Sequence, residues 1–445
     1  MKIAKLLLPL ILQLFFAIAA NSKVYDFTFG NKLTLLPNAR QSAVLKLDLI
    51  KNAKHHIHIM TYYLDKTDYP MELLQELRKA NERGVQVRIM TSYIPTLALD
   101  FWDEATKVLL TNRSGTNKSV PMAYLKFNPE KRESITNNIH EKIFLVDGVK
   151  AILGGRNISK DSFRDKDLEI IVEGPVVNQV QSHFEKMFSF LIQLKLKENT
   201  TFKSIEDLKN LNFSLKDTSF FPLQKKHKQG VKARILSNEI LLNQYGHNYE
   251  KLVEANISDD IIDTILKINF SKLRAYNYFI IPTKRYKDFL LKKVEEGKVI
   301  NIITNSITTS AATSDLGYLY SLPEMYNLVA HGIKVHQWLG SKIESGKDQL
   351  LYLHEKVMLF DNDHGIIGSH NFGSGSTTVS SEIALEFFAP EIVSELNKVF
   401  DNELNTLGVT KEASLVMLQN ELQENRNMIF LLHTKLFNNF VLELY

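Results

Sequence analysis

The chain has 445 residues and no cysteine, which excludes disulfides, thiolate metal sites and a thiol nucleophile. Its charge is also low, at +4. That value supplies no argument for a nucleic-acid-binding stripe, although a locally basic cleft is allowed because clustering matters more than the sum. With 44% hydrophobic and 23% charged residues, the composition is that of a globular protein without extended disorder or several membrane spans. The length exceeds one ordinary core and fits two domains of roughly 200 residues each.

One segment departs from this composition. Lys2 and Lys5 precede an apolar run from Leu6 to Ala20, which ends in Ala17-Ile18-Ala19-Ala20 before Asn21. A basic start, an apolar stretch and small residues are the order of a cleaved signal peptide, expected here over residues 1–20. The expected location is therefore periplasmic or secreted. The alternative is an uncleaved membrane anchor, since the run is only a little shorter than the roughly 20 residues that cross a bilayer.

The most informative feature is a repeat. His140-Glu141-Lys142 recurs as His354-Glu355-Lys356, 214 residues on, and Asp147, Gly154, Gly155 and Asn157 are matched by Asp361, Gly368, Ser369 and Asn371. The pattern His-x-Lys-x4-Asp-x6-Gly-(Gly/Ser)-x-Asn thus occurs twice with the same internal spacing. Such a duplication points to one site built from two halves. The expected organisation is an N-terminal half over 21–193, a Lys-, Asn- and Ser-rich linker over 194–243 and a C-terminal half over 244–408. A helical tail over 409–445 follows, its apolar stripe expected to pack on its own protein.

The correspondence extends beyond the motif. Ser42–Ile50 and Met71–Arg83 have helical periodicity, whereas His56–Tyr63 and Gly84–Thr91 alternate as strands. Lys272–Ile281, Arg285–Glu296 and Gly297–Thr304 repeat the strand, helix, strand order. The fold class expected is α/β: two pseudo-symmetric halves, each a mixed, mostly parallel sheet flanked by helices, with the site at their junction.

Strand phase then separates chemistry from scaffold. Apolar residues follow both motifs, so each His-x-Lys opens a strand, and alternation puts His140 with Lys142, and His354 with Lys356, on one face. Glu141 and Glu355 take the other. Asp147 and Asp361 also fall out of phase and far along the strand, and read as turn residues. The returning strands would bring Gly154, Gly155 and Asn157, and Gly368, Ser369 and Asn371, back to the level of the histidines.

Two histidines, two lysines and two asparagines suit a phosphodiester. Lysines and amides hold the phosphoryl oxygens, one imidazole attacks phosphorus and the other protonates the leaving alcohol. The lysines supply the cationic charge, so no metal or other cofactor is called for. His55, His56 and His58 lie on a strand without a matching ligand and read as structural. Each working histidine needs its second nitrogen held, usually by a carboxylate. The candidates are Asp167 and Glu382, each eight residues before a proline, Pro175 and Pro390.

These residues resemble the phospholipase D superfamily, whose signature is this motif in two copies. Further stretches resemble landmarks of its bacterial cardiolipin synthase branch, especially the C type. They are Leu35-Leu36-Pro37-Asn38, Tyr62-Tyr63, Arg83-Gly84-Val85, Gly154-Gly155-Arg156-Asn157-Ile158, Gly174-Pro175-Val176-Val177, Thr304-Asn305-Ser306 and Gly317-Tyr318. After Asn371 this chain has Phe372-Gly373-Ser374-Gly375-Ser376 where the branch usually carries Pro-Arg-Ser. The resemblance implies two α/β halves around one site and a phosphatidyl-histidine intermediate. By position it makes His140 the nucleophile and His354 the general acid.

The expected function is therefore cleavage or exchange of the distal phosphodiester of glycerophospholipids at a membrane surface, with water or an alcohol as acceptor. Both half-sites lie in one chain, so a monomer suffices. The alternative is a nuclease of the same superfamily, but no basic and aromatic stripe is evident and nucleic acid is not the expected partner.

Overall fold

The computed structural model describes residues 24–65, 67–92, 123–127, 138–198, 230–238, 260–309, 315–342, 349–350, 352–378 and 380–434. The leader expected over 1–20 lies outside the described residues.

In the N-terminal half the strands are β1 (Thr28–Leu36), β2 (His56–Thr61), β3 (Gln86–Ser92), β4 (Ala123–Phe127), β5 (Asn138–Ile139), β6 (Ile143–Val146), β7 (Lys150–Gly154), β8 (Asp165–Lys166) and β9 (Glu169–Glu173). Helices α1 (Ala39–Asn52), α2 (Asp68–Glu82) and α3 (Val176–Glu198) accompany them. The second half follows the same plan. Its strands are β10 (Val231–Asn238), β11 (Lys272–Tyr276), β12 (Val299–Asn305), β13 (Lys334–Trp338), a ribbon of β14 (Ser341–Lys342) and β15 (Gln349–Leu350), β16 (Tyr352–Leu353), β17 (Val357–Phe360), β18 (His364–Gly368), β19 (Ser380–Phe388) and β20 (Thr410–Glu412). Its helices are α4 (Asp260–Ile265), α5 (Lys284–Glu295), α6 (Asp315–Ala330), α7 (Ser374–Thr378), α8 (Pro390–Asn405), α9 (Leu415–Glu424) and α10 (Arg426–Leu432).

Strand order shows the pseudo-symmetry directly. The path β4-β3-β2-β6-β7-β9-β1 meets β10-β19-β18-β17-β11-β12-β13 through the β1·β10 pair. Two corrections follow. Each half has two parallel pairs, β2·β3 and β3·β4 or β11·β12 and β12·β13, but four antiparallel ones along the path from β1 or β10, and β13·β20 adds a fifth in the second half. The sheets are mixed and mostly antiparallel, because the tight turns after each motif return the chain beside itself. Second, β10 lies inside the stretch assigned to a linker, where it is the counterpart of β1 and fastens the halves together. In the same way α3 runs past the boundary set at 193.

The motif strands are apolar on both faces, and each face has its own core. Ile143 and Leu145 of β6 join Val357 and Leu359 of β17, Val180 and Phe184 of α3, and Val393 and Phe400 of α8 in a core shared by both halves. Phe144 and Val146 turn outward to α1 and α2, while Met358 and Phe360 turn outward to α5 and α6. Each such side chain contributes about 1.5–3 kcal/mol when fully buried, so β6 and β17 are anchored on two sides. The tail packs on its own protein through Leu418 and Leu432.

Both hairpin turns, 147–149 and 361–363, open on an aspartate at φ 52°. Asp147 accepts the backbone N–H groups of Lys54, His55 and His56 at 2.8–2.9 Å, and Asp361 accepts those of Ser271 and Lys272 at 3.0 and 2.8 Å. Each turn is thereby tied to the start of the central strand beside it, β2 or β11.

Candidate active site

Each motif histidine is held by the opposite half. Nδ1–H of His140 donates to Oε1 of Glu382 at 2.8 Å, and Nδ1–H of His354 donates to Oδ2 of Asp167 at 2.7 Å. The backbone makes the same exchange: His140 N–H donates to the Ser381 carbonyl at 2.9 Å, and His354 N–H to the Lys166 carbonyl at 2.8 Å. Short parallel pairs set this register, β5 on the start of β19 and β16 on β8. The carboxylates are almost fully buried, at 0% and 1% exposure, while the imidazoles keep 12% and 16%. Because a carboxylate only accepts, Nδ1 carries the proton in both rings and Nε2 keeps its lone pair.

Lys142 and Lys356, two residues on, are buried and donate back to the carbonyls of His140 and His354 at 2.5 Å. Two tyrosines complete the symmetry. Tyr62 stands edge-on to His140 at 4.9 Å and Tyr278 to His354 at 5.4 Å, and the lysine ammonium groups lie 5.3 and 5.4 Å from the same rings. Tyr62 belonged to a quoted landmark, but Tyr278 was missed. Its signal was available: it follows β11 just as Tyr62 follows β2.

The halves differ around their acids. Glu382 also accepts the hydroxyls of Ser369 at 2.5 Å and Ser376 at 2.6 Å. Ser369 occupies the place of Gly155, where a Cβ would meet Asp167 Oδ1 at 2.5 Å, so the first half has no room for the serine. Ser376, unassigned from sequence, also accepts the Asn371 backbone N–H at 3.0 Å. Gly154 and Gly368 are needed for close approach, since a Cβ on either would collide with the Leu168 or Ile383 carbonyl. The asparagines are less connected: the side-chain carbonyl oxygens of Asn157 and Asn371 are buried without a hydrogen-bond partner among the described residues.

Burial dominates the electrostatics. It lowers His140 to about 4 against the opposing pull of Glu382, and lowers His354 to about 3, assisted by Lys356 and opposed by Asp167. Glu382 is pulled down to about 2, chiefly by His140, although its own burial opposes this. Desolvation drops Lys356 to about 8 and holds Lys142 well below the usual lysine range. At neutral pH the site therefore holds neutral imidazoles over ionised acids.

On the reverse face Glu141 accepts from His183 at 2.6 Å and from the Ser381 hydroxyl, and Glu355 pairs with Lys166 at 2.7 Å. His56 and His58 are also buried structural groups, both hydrogen-bonded to Gln181 at 3.1 Å.

Two pseudo-symmetric α/β halves that exchange histidine-holding carboxylates define a phospholipase D-like enzyme. The comparisons give the family: the model described as "Cardiolipin synthase, PLD-like domain" matches residues 47–189 and 261–404, and the chain belongs to it. The chain is similar to cardiolipin synthase C of Escherichia coli K12, 24% identical, covering 79% of this chain and 80% of that protein. It is also similar to an uncharacterized protein of Helicobacter pylori 26695, 24% identical with 80% and 76% covered. Cardiolipin synthase 2 of Staphylococcus epidermidis RP62A is 20% identical, with 85% and 69% covered. In fold it is similar to the phosphatidylserine synthase of Haemophilus influenzae Rd KW20, with a TM-score of 0.63, 13% identity, and 93% and 96% of the two chains covered.

Proposed function

We propose that this enzyme transfers the phosphatidyl group of a glycerophospholipid to water or an alcohol through a covalent phosphohistidine, and that both half-sites of one chain suffice. The observation that carries the reading is the reciprocal pairing of His140 with Glu382 and His354 with Asp167, with a buried lysine beside each histidine.

In this scheme His140 Nε2 attacks phosphorus. The P–N bond forms as the P–O bond to the head group breaks, and His354 gives the leaving oxygen its Nε2 proton. An anionic phosphodiester raises the proton affinity of both rings, so His354 enters as imidazolium on Asp167. The neutral His354 then takes a proton from water or an alcohol, whose oxygen attacks phosphorus and releases His140. Lys142, Lys356 and the two asparagine amides hold the non-bridging oxygens as charge builds on them. Glu382, accepting three donors, stays ionised and balances the charge of phosphorylated His140; this favours His140 as nucleophile. The leader-like Lys2–Ala20 segment supports an exported location.

Lipid mass spectrometry after incubation with phosphatidylcholine, phosphatidylethanolamine and phosphatidylglycerol, with and without glycerol, tests the reading. Phosphatidic acid or an exchanged lipid, lost in His140→Ala, is expected. Absence of both products, with cleavage of a labelled oligonucleotide instead, would replace it by the nuclease reading.

A further inference from the structure

The pairs that fix the histidine registers also build an asymmetric layer next to them. In β8·β16 Asp165 stands opposite Tyr352, and in β19·β5 Ser380 stands opposite Asn138. These positions are equivalent, because Asp165 and Ser380 each precede the orienting acid by two residues, and Tyr352 and Asn138 each precede the histidine by two. Two residues along a strand return the side chain to the same face, about 6.6 Å away. Lys166 confirms the phase, since it turns to the reverse face and pairs with Glu355. Beside His354 the layer is therefore a carboxyl and a phenol, whereas beside His140 it is a hydroxyl and an amide.

Asp165 and Tyr352 are half-buried, and among the described residues neither side chain has a hydrogen-bond or ion-pair partner. Asp165 and Lys356, the lysine beside His354, are close enough to interact electrostatically. Burial, then the neighbouring Asp167, pushes Asp165 up to about 8. A carboxyl that is largely protonated at neutral pH both donates and accepts, as a hydroxyl partner requires.

We propose that Asp165 and Tyr352 form the specificity site for the alcohol, binding a second hydroxyl of the head group that leaves or the acceptor that enters on the His354 side. This rests on the phosphatidyl-transfer reading, in which His354 exchanges its proton with that alcohol. The placement fits a two- or three-carbon polyol, whose reacting oxygen meets His354 while a farther hydroxyl reaches one strand step outward. The diacyl part then takes the uncharged side.

The test uses the full-length protein, phosphatidylcholine vesicles, and glycerol, 1-propanol and ethanolamine as competing acceptors, with products measured by mass spectrometry. The wild type is expected to favour glycerol over 1-propanol. Asp165→Ala and Tyr352→Phe should each lower that ratio about tenfold, the effect of one hydrogen bond of about 1.4 kcal/mol, with transfer to 1-propanol retained. Asp165→Asn, nearly isosteric, guards against a folding failure and should show a smaller loss. Ser380→Ala should leave the ratio alone. An unchanged ratio in Asp165→Asn, Asp165→Ala and Tyr352→Phe would overturn the inference while leaving phosphatidyl transfer standing. Preference of the wild type for ethanolamine over glycerol would overturn the hydroxyl assignment in favour of an ammonium. If the wild type transfers to no alcohol and hydrolyses no lipid, the parent reading fails instead.

Discussion

His140 and Glu382 are 242 residues apart in the chain, in opposite halves, and are joined by a hydrogen bond of 2.8 Å from Nδ1–H to Oε1. His354 and Asp167 repeat the relationship in reverse over 187 residues. Neither half therefore holds a complete histidine, and chemistry requires the two sheets to be docked.

The crossing makes a prediction about coupling. Glu382→Gln and Asp167→Asn should each lower kcat by about 10²–10⁴, because the amide no longer holds the ring in its working tautomer or balances its charge. Residues that act as a unit are non-additive. Glu382→Gln should thus add little to His140→Ala, and Asp167→Asn little to His354→Ala. Double-mutant cycles check this, and larger coupling within each half than between halves would contradict the crossed arrangement.

The pH profile follows from the buried groups. kcat/KM reports the free enzyme, where attack needs neutral His140 and departure needs protonated His354, lowered by burial to about 4 and about 3, so kcat/KM should be highest between those values and decline as pH rises above about 4. Phosphate binding also needs charged Lys356, which burial lowers to about 8, so the decline should steepen above about pH 8. Initial rates from pH 3 to 10 on neutral-lipid vesicles would show both changes of slope. A steepening only near 10.4, the value of a free lysine, would remove Lys356 from the binding of charge.

Asp147 separates scaffold from chemistry. Asp147→Ala removes the acceptor of three backbone N–H groups and puts alanine at φ 52°. A loss of about 2–4 kcal/mol of stability is expected from that combination, with kcat per folded molecule little changed. Denaturant melts beside active-site titration distinguish this from a catalytic role, which would lower kcat without moving the midpoint.

Gly155 and Ser369 hold equivalent places yet should not be interchangeable. Gly155→Ser would push its Cβ against Asp167, whose Oδ1 is 2.5 Å from that position, and displace the acid from His354. Ser369→Gly only takes one hydroxyl from Glu382. The first change should cost at least tenfold more in kcat than the second, as steady-state rates would show.

Strand phase took Asp147 and Asp361 off the histidine face, because alternation with a period of two depends only on local spacing, and the strand that returns after each made them turn residues. The repeat likewise named both acids. It could not say that they cross, since spacing along one half carries no information about pairing with the other. β10 was hidden for the same reason: its partners are β1, more than 190 residues earlier, and β19, about 150 later, and its Lys- and Asn-rich flanks resemble a connection. Tyr278 was hidden because its contact with His354 arises only when β11 pairs with β17.

The central claim is a covalent bond to His140, formed before the acceptor arrives and released with help from His354. His354→Ala, incubated with a glycerophospholipid bearing a p-nitrophenyl leaving group that needs no acid, should release one equivalent of nitrophenol and retain a phosphatidyl adduct. Peptide mass spectrometry should place that adduct on His140. An adduct on another residue, or single-turnover hydrolysis in wild type and variant with no adduct on any histidine, would contradict the account.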